Sequence, residues 1–315
     1  MSPRTSGRRR LTATMTAMLT QCVLALFSVG AMATAAAAQP AARFARPELL
    51  VDTAWLAAHL NAPNTRIVDM RPRGYAEGHV PGAVWLDNND IRNPKAPPTF
   101  LPTSQEFARL MGRLGISNTT RVVVYDERGG LYAARLWWIL NLHGHSNVAL
   151  LDGGWPKWTA DKLATNTLVP TPSAATFTVK KGTVGVATAD DMKSAINNQG
   201  VKIIDARTQG EIDGKDLRNI KRGGFIESSI PVYWEDLLDA SSRAVKPPAE
   251  VAQIWRSKGV ANGDDVIVYC QVGMRASYDL FTLALLGHDL TKLRNYYGAW
   301  EEWGNRDDTP IKSRD

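Results

Sequence analysis

Val266-Ile267-Val268-Tyr269-Cys270, then Gln271-Val272-Gly273-Met274-Arg275, then an apolar run from Ala276 to Leu286: this stretch of the 315-residue chain sets its architecture. β-Branched residues in a short apolar run read as a buried strand, and the longer apolar run reads as a helix. A short loop containing Gly273 joins them. The stretch is therefore a strand–loop–helix unit of the kind that builds parallel sheets. Such a loop aims backbone N–H groups inward, and the helix N-terminus adds partial positive charge. Both favour a thiolate at Cys270, the nucleophilic form of cysteine. Chemistry is therefore expected at Cys270, in place of the inert burial that is the common fate of a core cysteine.

The plan occurs twice. Arg66-Ile67-Val68-Asp69-Met70-Arg71 matches Lys202-Ile203-Ile204-Asp205-Ala206-Arg207, and Val122-Val123-Val124-Tyr125-Asp126 matches Val266 to Cys270. The amphipathic run Leu131 to Leu142 matches Arg275 to Leu286, and Gly144-His145 matches Gly287-His288. Val148-Ala149-Leu150-Leu151-Asp152 matches Leu293-Arg294-Asn295-Tyr296-Tyr297 as a strand. Gly154-Trp155-Pro156-Lys157-Trp158 matches Ala299-Trp300-Glu301-Glu302-Trp303. Strands alternating with helices predict an α/β fold of two tandem domains, 47–163 and 183–310, each a mainly parallel sheet flanked by helices. Residues 164–182, rich in Thr, Pro and Ala, read as a linker that packs on the surface. In open α/β sheets ligands sit beyond the carboxyl ends of strands, where Cys270 lies. Asp126 takes the equivalent place in the first half. That half lacks a sulfur nucleophile and is expected to be structural, or to supply one wall of a cleft.

Residues 1–38 read as a cleavable leader. Arg4, Arg8, Arg9 and Arg10 make its basic start, Val23 to Phe27 its apolar centre, and Ala31 to Ala38 a small-residue cleavage region ending before Gln39. The stretch is too weakly apolar for a permanent membrane span. Arg8-Arg9-Arg10-Leu11 also suggests a twin-arginine signal, so the export route stays open. The four leader arginines account for four units of the formal net charge of +6, and the remainder carries no nucleic-acid signature. Cys22 leaves with the leader, so the mature chain has Cys270 alone and no internal disulfide. A lone cysteine in an exported chain points to a reactive thiol or intermolecular pairing.

Gly78-His79-Val80-Pro81-Gly82-Ala83, Leu151-Asp152-Gly153-Gly154-Trp155 and the six-residue loop headed by Cys270 together resemble the tandem rhodanese, or thiosulfate sulfurtransferase, family. The resemblance covers nearly all of residues 47–305. It implies that Cys270 carries a persulfide, taking sulfur from a donor such as thiosulfate and yielding it to a thiophilic acceptor, cyanide or a thiol. It implies no metal or organic cofactor. The substrate-binding loop is expected to comprise Gln271, Val272, Gly273, Met274, Arg275 and Ala276, with its amides stabilising each anion in turn. Arg275 is expected to hold sulfite-type oxygens, the alternative being a pair with Glu227 or Asp279. Gly273 permits the tight loop. Asp205–Arg207 and Asp69–Arg71 recur in both halves, which favours structural ion pairs. His79 reads as a hydrogen-bonded loop residue, and Trp155, Trp158, Trp300 and Trp303 as packing, with Trp300 able to border the pocket. The leader places the mature enzyme in a periplasm, without stable membrane insertion.

Three positions depart from the family. Where the second half should repeat the turn of the first it reads Gly223-Gly224-Phe225-Ile226-Glu227-Ser228-Ser229, so the next strand is open to different pairing and Glu227 to a place near the anion site. Glu211 stands where animal rhodaneses have a substrate-binding arginine. Gln271 replaces a loop cation, so a weaker grip on thiosulfate is expected. A 3-mercaptopyruvate sulfurtransferase is the first alternative, although Val272 stands where those enzymes carry serine. A persulfide carrier serving a protein acceptor is the second. A phosphatase or arsenate reductase needs seven residues from Cys to Arg, and this loop has six.

Overall fold

The computed structural model describes residues 43–97 and 99–313, so the expected leader lies outside the described residues. The first half runs β1 (Leu50–Val51), α1 (Thr53–Ala58), β2 (Thr65–Asp69), β3 (Val84–Trp85), α2 (Ser104–Arg113), β4 (Arg121–Tyr125), α3 (Leu131–Leu142), β5 (Val148–Leu151) and α4 (Gly154–Ala160). The second runs β6 (Gly185–Ala187), α5 (Ala189–Ile196), β7 (Val201–Asp205), α6 (Gln209–Ile212), β8 (Ile230–Pro231), α7 (Pro248–Ser257), β9 (Asp265–Tyr269), α8 (Met274–Leu285), β10 (Leu293–Tyr296) and α9 (Ala299–Trp303). Each half holds a five-stranded sheet, ordered β1-β5-β4-β2-β3 and β6-β10-β9-β7-β8. Every pairing is parallel, and the central strands β4 and β9 are buried from their second residue on. A parallel central strand is covered on both faces by helices, which is why it reads as an unbroken apolar run.

The altered turn keeps its place. Arg71 Nη2 donates to the Gly78 carbonyl and Arg207 Nη2 to that of Gly224, so Gly224 to Ser229 correspond in register to Gly78 to Ala83. The Val80 and Ile226 amides each donate to the hydroxyl of the central-strand tyrosine, Tyr125 or Tyr269. Ser228 takes the left-handed conformation (φ +65°) that Gly82 takes in the first half (φ +79°). The expectation of different strand pairing is thus corrected: Val68 pairs with Val84, and Ile204 pairs with Ile230. Buried hydrogen bonds hold the turn, so the lost histidine, proline and glycine change its strain and leave its path intact.

The segment 164–182 packs along the first half. Amides of Ala175, Lys180 and Gly182 donate to carbonyls of Gly112, His143 and Leu142, and Phe177 is buried edge-on to Phe107. The two halves meet through α3 and α8, whose buried faces belong to one continuous core. Trp137 packs edge-to-face on Phe281 at 5.3 Å, and Trp138 lies 5.0 Å from the Tyr297 ring. Both central strands therefore deliver their carboxyl ends to one seam.

Candidate active site

Cys270 is fully buried at the carboxyl end of β9. The loop after it turns into α8 at Gly273, which has φ +78°; a side chain there would overlap the Tyr297 ring. Its carbonyls are tied outward. Trp300 N donates to Cys270 O, Glu301 N to Gln271 O, and both Asn295 Nδ2 and Ser277 Oγ to Gly273 O. Asn88, from the first half, donates to the Met274 sulfur at 3.2 Å.

A pocket of about 230 Å³ opens on this loop. Cys270, Gln271, Val272, Met274 and Arg275 line it, as the sequence anticipates. Gly273 and Ala276 do not: Gly273 packs on Tyr297 and Ala276 is buried in the helix core. Thr208, Arg218, Tyr233 and Trp234 complete the second half's share, and Arg128, Leu131 and Tyr132 form a wall from the first half. Trp300 is not on the pocket; it stacks on the Arg207 guanidinium at 4.0 Å.

Arg275 has a partner that the sequence did not suggest. Its guanidinium makes a two-pronged pair with Glu211 at 2.6 and 2.8 Å, neither with Glu227 nor with Asp279. Burial pushes the Glu211 carboxyl up. The bonds and charge of Arg275, with the Thr208 amide and hydroxyl, outweigh burial and hold it at about 2. Burial lowers Arg275, but Glu211 and the neighbouring Cys270 push it up on balance. The loop's cation is thus largely neutralised where it stands. Glu227 lies away from the pocket and pairs with Lys312, which corrects the expectation of negative charge at the anion site. Asp279 is fully buried on α8, and neither carboxyl oxygen has a hydrogen-bond partner. Burial, then the charge at Cys270, pushes its carboxyl well above the usual range.

The recurring Asp–Arg pairs are structural. Arg207 grips Asp205 with Nε and Nη2, Tyr269 donates to Asp205 at 2.5 Å, and the first half repeats the set with Arg71, Asp69 and Tyr125. His79 is a buried loop histidine bonded to the carbonyls of Tyr75 and Leu168.

The first half shows what such a loop holds. The Asp126 carboxylate accepts the amides of Arg128, Gly130, Tyr132 and Ala133 at 2.6 to 2.9 Å. Gly130 and Gly273 both cap their helices in the left-handed conformation, which sets Leu131 against Met274. In that register the amides of Gly273, Arg275 and Ala276 correspond to three of the four donors. The loop is a cradle for an anion. In one half the anion is a carboxylate, and in the other the cradle carries sulfur.

The sequence profile of the rhodanese-like domain matches residues 52–161 and 188–306. The chain belongs to the rhodanese-like family. A thiosulfate sulfurtransferase of Corynebacterium glutamicum is 34% identical over 86% of this chain and 92% of its own length. A sulfur carrier protein of Thermus thermophilus is 32% identical over 85% of this chain and 98% of its own. The crystal structure of SseA from Escherichia coli, a 3-mercaptopyruvate sulfurtransferase, aligns with TM-score 0.71 and 29% identity over 80% of this chain and 98% of its own. This tandem rhodanese is a sulfurtransferase. Of its pocket residues, Thr208, Arg218, Tyr233, Trp234, Arg128, Leu131 and Tyr132 were not singled out from the sequence. The repeat alone, by placing the Asp126 loop beside the Cys270 loop, pointed toward the last three.

Proposed function

We propose that this rhodanese takes its sulfur from thiosulfate, carries it as a persulfide on Cys270, and yields it to a thiophilic acceptor. The Cys270 thiolate attacks the outer sulfur of thiosulfate. The new S–S bond forms as the old one breaks, and sulfite leaves with the electron pair. The acceptor then attacks the outer sulfur and the thiolate leaves; with cyanide the product is thiocyanate. The observation that carries the reading is the Asp126 cradle, because it gives the Cys270 loop an anion-binding geometry at the pocket floor. Arg128 and Arg218 on the pocket rim stand in exposed pairs with Glu235 and Asp216, weak enough for an incoming anion to exchange. Val272 supports thiosulfate over mercaptopyruvate, since it lines the pocket with no hydroxyl.

The test is intact mass after thiosulfate, then after cyanide, beside Cys270→Ala. One sulfur gained, removed by cyanide and missing in the variant, is the expected result. Charging by mercaptopyruvate alone would replace the donor assignment.

A second reading is delivery of the persulfide to a protein thiol. The sulfur carrier relative favours it, as does the neutralised Arg275, which weakens the hold on a small free anion. A high thiosulfate KM with fast transfer to a protein thiol would select it. Export to a periplasm belongs to the same proposal and is checked by the N-terminal sequence of the secreted chain, expected to begin at Gln39.

A further inference from the structure

We infer that Arg135, which belongs to the half without a nucleophile, is the counter-cation of the anionic Cys270 sulfur, both as thiolate and as persulfide. The inference rests on the persulfide reading and adds to it the source of the balancing charge.

Arg135 lies on α3 and is 1% exposed. Its Nε donates to the Tyr297 hydroxyl and its Nη1 to Asn88 Oδ1 at 2.8 Å, while Nη2 is buried without a hydrogen-bond partner. Among the described residues it forms no pair with a carboxylate. A fully buried cation with neutral partners is costly unless an anion stands near it. The charges around it are few. Burial pulls the guanidinium down, Tyr297 pushes it up, the cation of Arg92 pulls it down and Cys270 pushes it up. Arg92 is itself paired with Glu301. Arg135 is tied to the active-site loop twice: it holds Tyr297, whose ring packs against Gly273, and Asn88, which donates to Met274, so the ionised Cys270 sulfur of that loop is the anion it balances.

The repeat makes the placement specific. In the register set by Gly130 and Gly273, Arg135 on α3 corresponds to Tyr278 on α8, and Tyr297 corresponds to Asp152. Tyr278 lies against Gly130 of the first half's loop, and Arg135 holds the Tyr297 ring that lies against Gly273 of the second. Tyr278 feels the charges of Asp152 and Asp126, and Arg135 feels that of Cys270. The neutral phenol faces the carboxylate cradle, and the cation faces the sulfur cradle. The remaining groups near Cys270 do not replace it. Arg275 is engaged by Glu211 and Arg207 by Asp205, and Asp279, an acid, supplies no positive charge. Arg128, Arg218 and Tyr233 line the solvent-facing pocket.

The test is the pH profile of Cys270 alkylation by iodoacetamide, read by intact mass on the full chain. The variants are Arg135→Met, Arg135→Lys and Tyr297→Phe. Methionine removes the charge and keeps an apolar chain of similar volume. Its profile midpoint is expected to rise by about one pH unit, which slows alkylation about tenfold below the midpoint. Arg135→Lys keeps the charge, and Tyr297→Phe removes only the hydroxyl that Arg135 grips. Both are expected to stay within about 0.3 units of the parent. An unmoved midpoint in Arg135→Met overturns the inference. A shift in Tyr297→Phe as large as in Arg135→Met also overturns it, because Arg135 would then act only by bracing the ring under Gly273. If circular dichroism shows Arg135→Met unfolded, Arg135→Gln, which drops the charge and keeps an N–H donor, is read in its place, and an unmoved midpoint there overturns the inference. The parent chain is charged in parallel with thiosulfate and with mercaptopyruvate. Failure to gain sulfur from either defeats the persulfide reading, whereas normal charging with an unmoved Arg135→Met midpoint defeats only the role of Arg135.

Discussion

Glu211 is the residue at which two charges decide affinity and stability together. It is 1% exposed, caps α6 through Thr208 and holds the only arginine of the active-site loop. Glu211→Gln leaves Arg275 buried and unpaired, which is expected to cost on the order of 3 kcal/mol in a denaturant melt. The same change frees the guanidinium for the oxygens of thiosulfate, so KM for thiosulfate is expected to fall several-fold. A KM that rises instead would mean that Glu211 orients Arg275 for the donor. The pair also sets an acid limit. The folded carboxyl titrates at about 2, below its ordinary 4.5, so its stabilisation is complete above pH 4.5 and is lost as pH falls toward 2. Melting midpoints of the parent and Glu211→Gln are therefore expected to converge over that window. Little of this was legible in the sequence. Glu211 and Arg275 are 64 positions apart, and only the fold brings α6 beside the start of α8.

At the scale of elements, the repeat made the strands and helices legible. The same apolar strand and the same following helix occur in both halves, and each is covered on both faces. Turns were less legible because backbone hydrogen bonds, not side-chain identity, fix their path. The stretch from Gly224 to Ser229 shares almost no residues with Gly78 to Ala83, yet both receive an arginine at the first carbonyl and a tyrosine at the third residue. What the substitutions changed is strain. Ser228→Gly places at φ +65° the residue that tolerates it, and is expected to stabilise the chain by about 1 kcal/mol with no change in turnover. Gly273→Ala is the opposite case. It strains φ +78° and drives a methyl into the Tyr297 ring, so about 1–3 kcal/mol of stability is expected to be lost. Persulfide yield after thiosulfate, measured by mass, is expected to fall with it, because the ring supports the loop.

For the whole molecule, the half without a nucleophile helps build the pocket at Cys270. Arg128, Leu131 and Tyr132 wall the pocket, Asn88 reaches Met274, and Arg135 stands behind the loop. The faces of α3 and α8 that bury Trp137, Trp138 and Phe281 pack on each other across the seam. Large aromatic side chains of this kind contribute about 3–5 kcal/mol each when truncated in a core, so exposing three together approaches the whole net stability of a domain, about 5–15 kcal/mol. A fragment of residues 183–313, although it carries Cys270 and its entire loop, is therefore expected to aggregate or to bind a hydrophobic dye strongly, and not to take up sulfur. Size exclusion and mass after thiosulfate check this directly. The intact chain, with one core crossing the seam, is expected to melt in a single transition whose calorimetric and van't Hoff enthalpies agree. Two separated transitions would mean that the seam is weaker than its packing implies. A soluble fragment that charges normally would show that Cys270 needs no cation from across the seam.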